Sequence, residues 1–353
     1  MADGLVISVD GMGGDHAPES VLDGIEIAAR KAPGARFLIH GPAARLTQML
    51  EQRPAAKAAS TVRDAEKFVA MDVKPSQALR QGKGTSMWNA LVSVETGEAQ
   101  ACVSAGNTGA LMAMAMMRLR KMEGVHRPAL VATWPTAQGF AAVLDVGANV
   151  EADGSQLVEF AIMGEAFHRA VRGSSRPKVG LLNVGSEDQK GHEEIRSAAR
   201  LIREAGVDLD FYGFVEGDDI SKGTVDVVVT DGFTGNIAMK TAEGTARLVA
   251  GFLREALTAG PLARIGALLA LPALKKLKDR MDPRTVNGAV FLGLNGIVVK
   301  SHGGTDGLGY AAAADVAIRM AKSHYRDEVA ANLARLSAAT AVTAATAAMP
   351  GLS

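Results

Sequence analysis

The sequence predicts an α/β fold built on a mostly parallel sheet. Short runs rich in valine, isoleucine and alanine alternate with longer segments of helical periodicity, the order found in β-α-β crossovers. Several short runs are apolar throughout, as expected for strands buried on both faces. Six of them end in loops that mix glycine with acids, amides or hydroxyls. In a parallel sheet such loops gather at the carboxyl ends of the strands, where ligands bind.

These patterns give definite bounds for the main elements. The predicted strands are Leu5–Val9, Phe37–His40, Ala101–Ser104, Val131–Trp134, Ala142–Asp145, Val179–Asn183, Phe211–Phe214, Val225–Thr230 and Gly296–Lys300. The predicted helices include Ser20–Lys31, Leu157–Val171, Glu193–Ala205 and Ala311–Ser323. We expect one catalytic unit over residues 1–337. Its first lobe takes residues 1–115 and 282–337, its second lobe residues 116–281, and the Ala/Thr-rich tail 338–353 is expected to be disordered.

The composition excludes several classes of protein. Hydrophobic residues make up 48% of the 353 and charged residues 22%, which is typical of a globular chain. Lysine plus arginine and aspartate plus glutamate both number 38, so no net charge favours nucleic acid. Cys102 is the only cysteine, which excludes internal disulfides and multi-cysteine metal sites. No signal peptide or membrane span is recognisable, so we expect a cytoplasmic protein.

The loop Ser104–Gly109 has the features of an anion site. A strong helix-forming segment follows it, so its backbone N–H groups lie at the positive end of a helix dipole. Gly106 and Gly109 allow close approach to a ligand, and Asn107 and Thr108 add side-chain donors. The alternative is ordinary N-capping of the helix by these polar residues.

Two further loops carry chemically useful groups. In the loop 183–192, Ser186 could donate to an oxyanion, and Lys190 and His192 would add positive charge, although each is also compatible with a solvated loop. Asp231 ends a buried strand, where a carboxylate is costly unless it has a hydrogen-bonding role. It could orient a ligand, act as a base or pair with a lysine. Acids such as Asp10 could bind Mg²⁺, but no spacing requires it, and we expect no metal or cofactor.

Other catalytic signatures are missing from the sequence. It has no phosphate-binding loop of the Walker type, no zinc-binding helix with two histidines and no nucleophile elbow. Cys102 lies within an apolar strand and is interpreted as a core residue.

Residues 257–281 form an amphipathic segment unlike the rest of the chain. Pro261 and Pro272 divide it into short helices, and lysines crowd its second half. Its apolar positions include Leu262, Ile265, Leu268 and Leu269. Two interpretations stay open, and both can hold: a hairpin on an anionic membrane surface, or a helix pair buried in a dimer interface.

Several motifs together resemble one enzyme family. Asp10-Gly-Met-Gly-Gly-Asp15, Ser104-Ala-Gly-Asn-Thr-Gly109, Asn183-Val-Gly-Ser-Glu-Asp188, Asp231-Gly-Phe-Thr-Gly-Asn236 and Gly303-Gly-Thr-Asp306 are similar to those of the bacterial acyl-carrier-protein:phosphate acyltransferase (PlsX) family. The resemblance implies transfer of a fatty acyl group from the carrier protein to inorganic phosphate. It also implies a fold like phosphate acetyltransferases and isocitrate- or isopropylmalate-type dehydrogenases, a homodimer and loose membrane association, with a membrane glycerol-3-phosphate acyltransferase as a further expected partner. The Asp231–Asn236 loop is also similar to a loop of phosphate acetyltransferases.

We assign site residues on the motifs and the resemblance together. The predicted catalytic residues are Asp231, Asn236, Ser186, Lys190 and His192. The predicted phosphate or substrate ligands are Asp10, Gly13, Gly14, Asn107, Thr108, Gly109, Asn183, Gly185, Gly232, Gly235 and His302. The predicted docking patch for an acidic carrier protein is Arg118, Arg120, Lys121 and Arg127. The rival functions are a phosphate acetyltransferase, an NAD-linked decarboxylating dehydrogenase and a non-catalytic membrane scaffold.

Overall fold

The computed structural model describes residues 4–204, 206–280 and 282–347, with side chains left undescribed at 278–280, 283 and 339–347. In these residues one continuous sheet carries helices on both faces. Its strands are β1 Leu5–Asp10, β2 Ala35–Gly41, β3 Ser60–Asp64, β4 Ala101–Ser104, β5 Ala129–Thr136, β6 Gly139–Leu144, β7 Lys178–Leu182, β8 Asp210–Val215, β9 Val227–Val229, β10 Ala289–Leu292 and β11 Ile297–Lys300.

The helices lie mostly between the strands, as the alternating pattern predicts. They are α1 Glu19–Lys31, α2 Ala43–Leu50, α3 Pro54–Ala59, α4 Pro75–Gln81, α5 Ser86–Glu95, α6 Thr108–Leu119, α7 Gly154–Arg172, α8 Glu193–Glu204, α9 Gly217–Lys222, α10 Gly232–Thr258, α11 Pro261–Leu269, α12 Leu271–Arg280, α13 Gly307–Lys322 and α14 Tyr325–Ala347. Local sequence sets some of their ends: α7 begins at an Asp153–Gln156 capping box and stops at Gly173, whose φ is positive.

The strand order is β3-β2-β1-β4-β11-β10-β5-β6-β9-β7-β8. The first five strands in this order run parallel to one another, and so do the last four. Between the two groups, β11 pairs antiparallel with β10, β10 with β5, and β5 with β6. Three successive antiparallel pairings reverse the direction, so the second group runs opposite to the first.

This reversal corrects one expectation from the sequence. The loops after β1, β4 and β11 lie at one edge of the sheet, which we call the first edge. The loops after β6, β7 and β9 lie at the opposite edge, the second edge. The six glycine-rich loops therefore form two clusters rather than one, because β10, which the sequence pattern did not reveal, adds an antiparallel strand in the middle.

Two helices on one face of the sheet connect these edges. The buried side chains of α6, among them Leu111 and Met114, pack in the same apolar cluster as partly buried Met239 and Ala242 of α10. Helix α6 starts after β4 at the first edge and runs towards the second, whereas α10 starts after β9 at the second edge and runs back. The opposite face is covered mainly by α1, α7 and α13, which bury a separate apolar cluster.

Two parts of the chain differ from prediction. The expected disordered tail is helical as far as Ala347, because alanine is the residue with the highest helix propensity, and residues 348–353 lie outside the described part. The edge strand β3 was missed because its side chains are exposed or half-buried and form no apolar run. Strands of the two predicted lobes occupy the two halves of the strand order, but the lobe boundaries stay a prediction.

The predicted hairpin consists of α11 and α12, with the end of α10 leading into it. Pro261 starts α11, and Pro272 is the second residue of α12. Its four predicted apolar side chains are exposed, with relative accessibilities of 84% for Leu262, 60% for Ile265, 76% for Leu268 and 81% for Leu269. Met281 lies outside the described residues. Among the described helices, none has the length and hydrophobicity to cross a bilayer.

Candidate active site

Asp10 organises the loops at the first edge. Its carboxylate accepts hydrogen bonds from Ser86 Oγ at 2.6 Å and Ser104 Oγ at 2.7 Å. Burial raises the pKa of Asp10, and the two serine hydroxyls oppose that rise. Gly13 is needed beside it, since a Cβ there would lie 2.5 Å from Asp10 Oδ2 and 2.7 Å from the Gly106 nitrogen. Asp10 therefore holds the loops together from inside and is not an exposed ligand.

Lys300 is a buried cation beneath the same loops. It ends β11, and its Nζ contacts the carbonyl oxygens of Ala105, at 3.4 Å, and Ser301. Burial lowers the pKa of Lys300 to about 8, and the charges of Asp15 and Asp10 act in the opposite direction. Sequence analysis did not identify this residue, because a lysine at a strand end gives no sign of being buried.

The loops after β1, β4 and β11 are tied to one another by their backbones. The Asp15 N–H donates to the Gly303 carbonyl at 2.9 Å, and the Ser301 N–H to the Ser104 carbonyl at 2.9 Å. Gly14 has a φ of +111° and lies against Gly303. The predicted ligands Asp10, Gly13, Gly14, Asn107, Thr108, Gly109 and His302 are thus brought together at the first edge.

The start of α6 lies within this cluster. Asn107 is its N-cap and accepts from the Ala110 N–H at 2.9 Å, while its Nδ2 donates to the carbonyls of Met71 and Val73 at 2.7 and 3.0 Å. Its side chain is thereby occupied within the protein, as the capping alternative predicts. Among the described residues no acceptor takes the backbone N–H of Asn107, Thr108 or Gly109. These N–H groups and the exposed Thr108 hydroxyl are available to an anion.

His302 lies on the exposed side of the first-edge loops. Its backbone N–H donates to Asn287 Oδ1 at 3.0 Å, and its Nδ1 accepts from the Gly304 N–H at 3.2 Å. Burial lowers the pKa of His302, as does the charge of Lys300, while Glu243 on α10 raises it. The middle of α10 therefore acts electrostatically on the first edge.

At the second edge, Asp145 has the organising role. Its carboxylate accepts hydrogen bonds from the backbone N–H groups of Leu130, Gly147, Ala148 and Asn149 and from Asn149 Nδ2, at 2.7–3.1 Å. Burial raises its pKa against these donors. The sequence predicts that Asp145 ends a buried strand. In the structure these hydrogen bonds occupy its carboxylate oxygens, so the residue has a structural role.

The glycines of the Asp231–Asn236 loop pack against this Asp145 loop. A Cβ at Gly235 would overlap the Asp145 carbonyl oxygen, and one at Gly232 would overlap the Asn149 carbonyl oxygen. Asn236 Nδ2 donates to the Val146 carbonyl at 3.1 Å. These contacts account for both glycines without a phosphate.

Asp231 itself caps α10. Its Oδ1 accepts from the Thr234 N–H at 2.8 Å and its Oδ2 from Thr234 Oγ1 at 2.7 Å. The carboxylate that follows the buried strand is itself only half-buried, and its hydrogen-bonding role is that of a helix cap.

The loop 183–192 is also at the second edge. Asn183 is buried, and its Nδ2 donates to the Lys190 carbonyl at 3.1 Å, which closes the loop over Gly185 and Gly191. The side chains of Ser186, Lys190 and His192 are exposed, and Lys190 Nζ pairs with Glu187 at 2.8 Å.

The basic residues predicted to bind a carrier protein lie at the second edge too. They follow α6, so about 18 Å of helix separates them from the Asn107 loop. Arg118 pairs with Glu95 and stacks on Trp88, whereas Arg120, Lys121 and Arg127 are exposed. Buried Glu159 accepts hydrogen bonds from His126 and holds this loop against α7. Closeness in sequence to Asn107 therefore does not mean closeness in space.

Comparison with known proteins identifies the family. The family described as "Fatty acid synthesis protein" matches residues 5–328. A phosphate acyltransferase of Caulobacter vibrioides is 61% identical over 341 residues, covering 97% of this chain and 95% of the relative. One of Parvibaculum lavamentivorans is 56% identical over 341 residues, with coverages of 96% and 94%. The chain belongs to the phosphate acyltransferase family. The predicted family and enzyme class are confirmed.

Solved structures confirm the fold class. A phosphotransacetylase from Streptococcus pyogenes aligns with a TM-score of 0.60 at 16% identity, covering 91% of this chain and 95% of that one. EutD phosphotransacetylase from Staphylococcus aureus gives 0.59 at 15% identity, with 90% and 94% covered. A 4-hydroxythreonine-4-phosphate dehydrogenase from Klebsiella pneumoniae gives 0.54 at 15% identity, with 91% and 100% covered. At these identities the likeness concerns the fold alone.

Proposed function

We propose that this chain transfers a fatty acyl group from acyl carrier protein to inorganic phosphate, giving acyl phosphate and free carrier protein as the first step towards phosphatidic acid in phospholipid synthesis. Family membership supports the acyl transfer to phosphate. A phosphate site at the first edge is supported by the cluster of loops around the N–H groups of Asn107, Thr108 and Gly109, which have no acceptor within the described part of the chain.

The proposed reaction requires the site to bind and orient phosphate rather than to supply a nucleophile of its own. Near pH 7 inorganic phosphate is a mixture of monoanion and dianion, and the dianion is already a nucleophile, so the protein has to hold it and orient one oxygen towards the thioester carbonyl carbon. Attack forms the C–O bond, and the C–S bond then breaks to release the carrier thiolate, which takes up a proton. Backbone N–H groups and Thr108 bind the phosphate, and Asn107 acts by holding the loop. No covalent enzyme intermediate is needed.

The donor approaches from the other end of α6. The exposed Arg120, Lys121 and Arg127 are complementary to an acidic carrier protein. A thioester on a long flexible arm then follows α6 for about 18 Å to the phosphate. Exposed Met116 and Met117 on α6 provide adaptable apolar contacts along the way.

The residues predicted to be catalytic at the second edge receive a different role in this proposal. Ser186, Lys190 and His192 are exposed at the edge that carries the basic patch, so they contact the donor's carrier protein or its arm. Replacing Ser186 or Lys190 by alanine would then raise the KM for the donor and leave the KM for phosphate unchanged. The opposite result would move the phosphate site to the second edge.

We further propose a homodimer that associates peripherally with the inner face of the cytoplasmic membrane through the α11–α12 hairpin. Its exposed leucines and the lysines of α12 suit an anionic lipid surface. In this proposal the acyl phosphate is consumed there by an acyltransferase that acts on glycerol-3-phosphate, and a membrane enzyme of that class is the proposed neighbour.

The deciding experiment is incubation of the purified protein with palmitoyl-carrier protein and labelled phosphate. Formation of labelled acyl phosphate and free carrier thiol supports the proposal. Transfer only from acetyl-CoA identifies an acetyltransferase, and reduction of NAD identifies a dehydrogenase. No turnover with any of these substrates, in a folded protein, leaves the scaffold as the better explanation.

Cys102 provides a test of direct attack by phosphate. It is fully buried, and burial raises the pKa of its thiol, so it is not available as a nucleophile. We expect Cys102→Ala to keep acyl transfer within about threefold of the parent (about 0.6 kcal/mol). Loss of transfer in a folded variant would instead require an acyl-cysteine intermediate.

A further inference from the structure

The buried position of Lys300 allows it to fix the shape of the loop after β4, where phosphate is proposed to bind. It is 8% exposed and contacts the carbonyl oxygen of Ala105, three residues before Thr108. It also contacts the Ser301 carbonyl, and the Ser301 N–H in turn donates to the Ser104 carbonyl. One ammonium group thus joins the loop after β4 to the loop after β11, directly before the free N–H groups of α6.

The charges around this point explain why a cation is needed. Asp10 and Asp15 both act on Lys300, and neither forms a direct ion pair with it among the described contacts. Two carboxylates near an anion site repel a phosphate dianion and therefore weaken its binding. The buried Lys300 cation, on which both carboxylates act, offsets that repulsion, and low local polarity strengthens the effect.

We propose that Lys300 is a positioning residue for phosphate, which holds the Ala105–Thr108 loop in its binding shape and offsets the charge of Asp10 and Asp15. The inference rests on the proposed function, since it assumes that phosphate binds at the start of α6. It goes beyond the proposed function by assigning the affinity for phosphate to a buried residue other than those proposed to bind the ligand.

The titration of Lys300 predicts how the KM for phosphate should depend on pH. Its pKa of about 8 means that the ammonium is largely protonated at pH 7 and largely neutral by pH 9.5. The titratable groups that face the same cluster are Asp10, Asp15, Cys102, His302 and Tyr310, with Lys240, Glu243 and Arg247 acting from α10. Burial raises the pKa of both Cys102 and Tyr310, so these two stay neutral over this range. Burial lowers the pKa of His302, which is therefore already neutral at pH 7.

The experiment measures the KM for phosphate from pH 7 to pH 9.5 in the parent and in Lys300→Met, Lys300→Arg and the control Lys322→Met, whose lysine is exposed on α13. In the parent and the control we expect the KM for phosphate to rise about tenfold as pH passes through 8, with an unchanged KM for the acyl donor. Lys300→Met should have the high KM already at pH 7 and no further rise. Lys300→Arg should keep the low KM throughout, because arginine stays protonated.

Folding and function are separated by a second measurement. Phosphate should raise the melting temperature of the parent at pH 7 and not that of Lys300→Met, whose own melting temperature should be no lower than the parent's. A flat KM profile in the parent, or a parent-like KM and profile in Lys300→Met, would overturn the role of Lys300. Failure of the proposed function looks different, because the parent itself would then form no acyl phosphate.

Discussion

Close approach of the backbone at a glycine-rich loop can serve two purposes, packing against another loop or binding a ligand. Gly235 and Gly232 come from a motif that suggests a phosphate cradle, yet each faces a backbone carbonyl of the Asp145 loop at a distance that excludes a Cβ. The free N–H groups at the start of α6, by contrast, face no protein acceptor in the described chain. The motif shows where backbones approach closely, and only the structure shows whether the neighbour is a ligand or another loop.

This distinction predicts opposite outcomes for two substitutions in α10. Gly235→Ala should lower the free energy of unfolding by about 3 kcal/mol or more, because the new methyl group meets backbone that cannot move aside. Gly244→Ala, in the same helix with nothing within 4 Å of the added Cβ, should raise it by about 0.5–1 kcal/mol. Urea unfolding followed by circular dichroism measures both. Equal effects would mean that Gly235 is not in close contact with Asp145.

Asp231 can be tested as a cap and as a base separately. Asparagine caps helices as well as aspartate does, so Asp231→Asn should leave stability nearly unchanged, whereas Asp231→Ala should cost about 1 kcal/mol. If the residue only caps α10, both variants keep their kcat once they are folded. A fall in kcat of a hundredfold or more in Asp231→Asn, with normal unfolding, would restore its predicted role as a base.

At the scale of single elements, α6 connects the two halves of the proposed reaction. Its first residues supply the N–H groups for phosphate, and the residues after its end supply the exposed Arg120, Lys121 and Arg127. The proposed site for the nucleophile and the proposed docking site for the donor therefore lie at opposite edges of the sheet. Affinities for the two substrates should be separable by mutation.

Charge reversal after α6 tests this separation. Combined Arg120→Glu, Lys121→Glu and Arg127→Glu changes should raise the KM for acyl carrier protein at least tenfold, because an acidic partner is then repelled, and should leave the KM for phosphate unchanged. Turnover of acyl-CoA is the internal control, and Arg335→Glu on α14 is the matched control for an exposed arginine elsewhere. Equal losses with both donors would exclude carrier docking at this patch.

Local features of this fold could be predicted from the sequence, whereas the direction of the strands could not. Apolar runs located most strands, and glycine-rich loops marked their ends, because both depend on residues adjacent in the chain. The direction of one strand group relative to the other depends on Ala289–Leu292, whose pairing with β5 joins distant parts of the sequence. The burial of Lys300 was missed for the same reason, since Ser104, Ala105 and Asp10 come close to it only after folding.

At the scale of the whole molecule, many large apolar side chains of α10 and α11 are exposed. Along α10 the exposed side chains include Phe233, Ile237, Leu248 and Phe252, and the surface continues onto α11. Soluble monomers rarely expose a patch of this extent, which is typical of an interface with another protein or with lipid. Membrane contact and dimerisation are both compatible with it.

Liposome flotation separates these two uses. Leu268→Glu combined with Leu269→Glu should abolish flotation with anionic vesicles, because two charges on the exposed face of α11 prevent its insertion. The proposed dimer, measured by sedimentation, should persist, and so should acyl transfer to phosphate in detergent-free solution. Unchanged flotation would assign this face to packing between copies, and a shift to monomer would show that it forms the dimer contact.

The strand order also has a consequence for how the chain is made. Lys300 contacts Ala105, a residue 195 positions earlier, and β11 completes the row of strands beside β4. During synthesis the edge of β4 is therefore left without its partner until almost all of the sheet has emerged, and an unpaired edge invites aggregation. The nascent chain should depend on chaperones until β11 has been synthesised. Any nascent chain that stops before β10 should lack the proposed phosphate site.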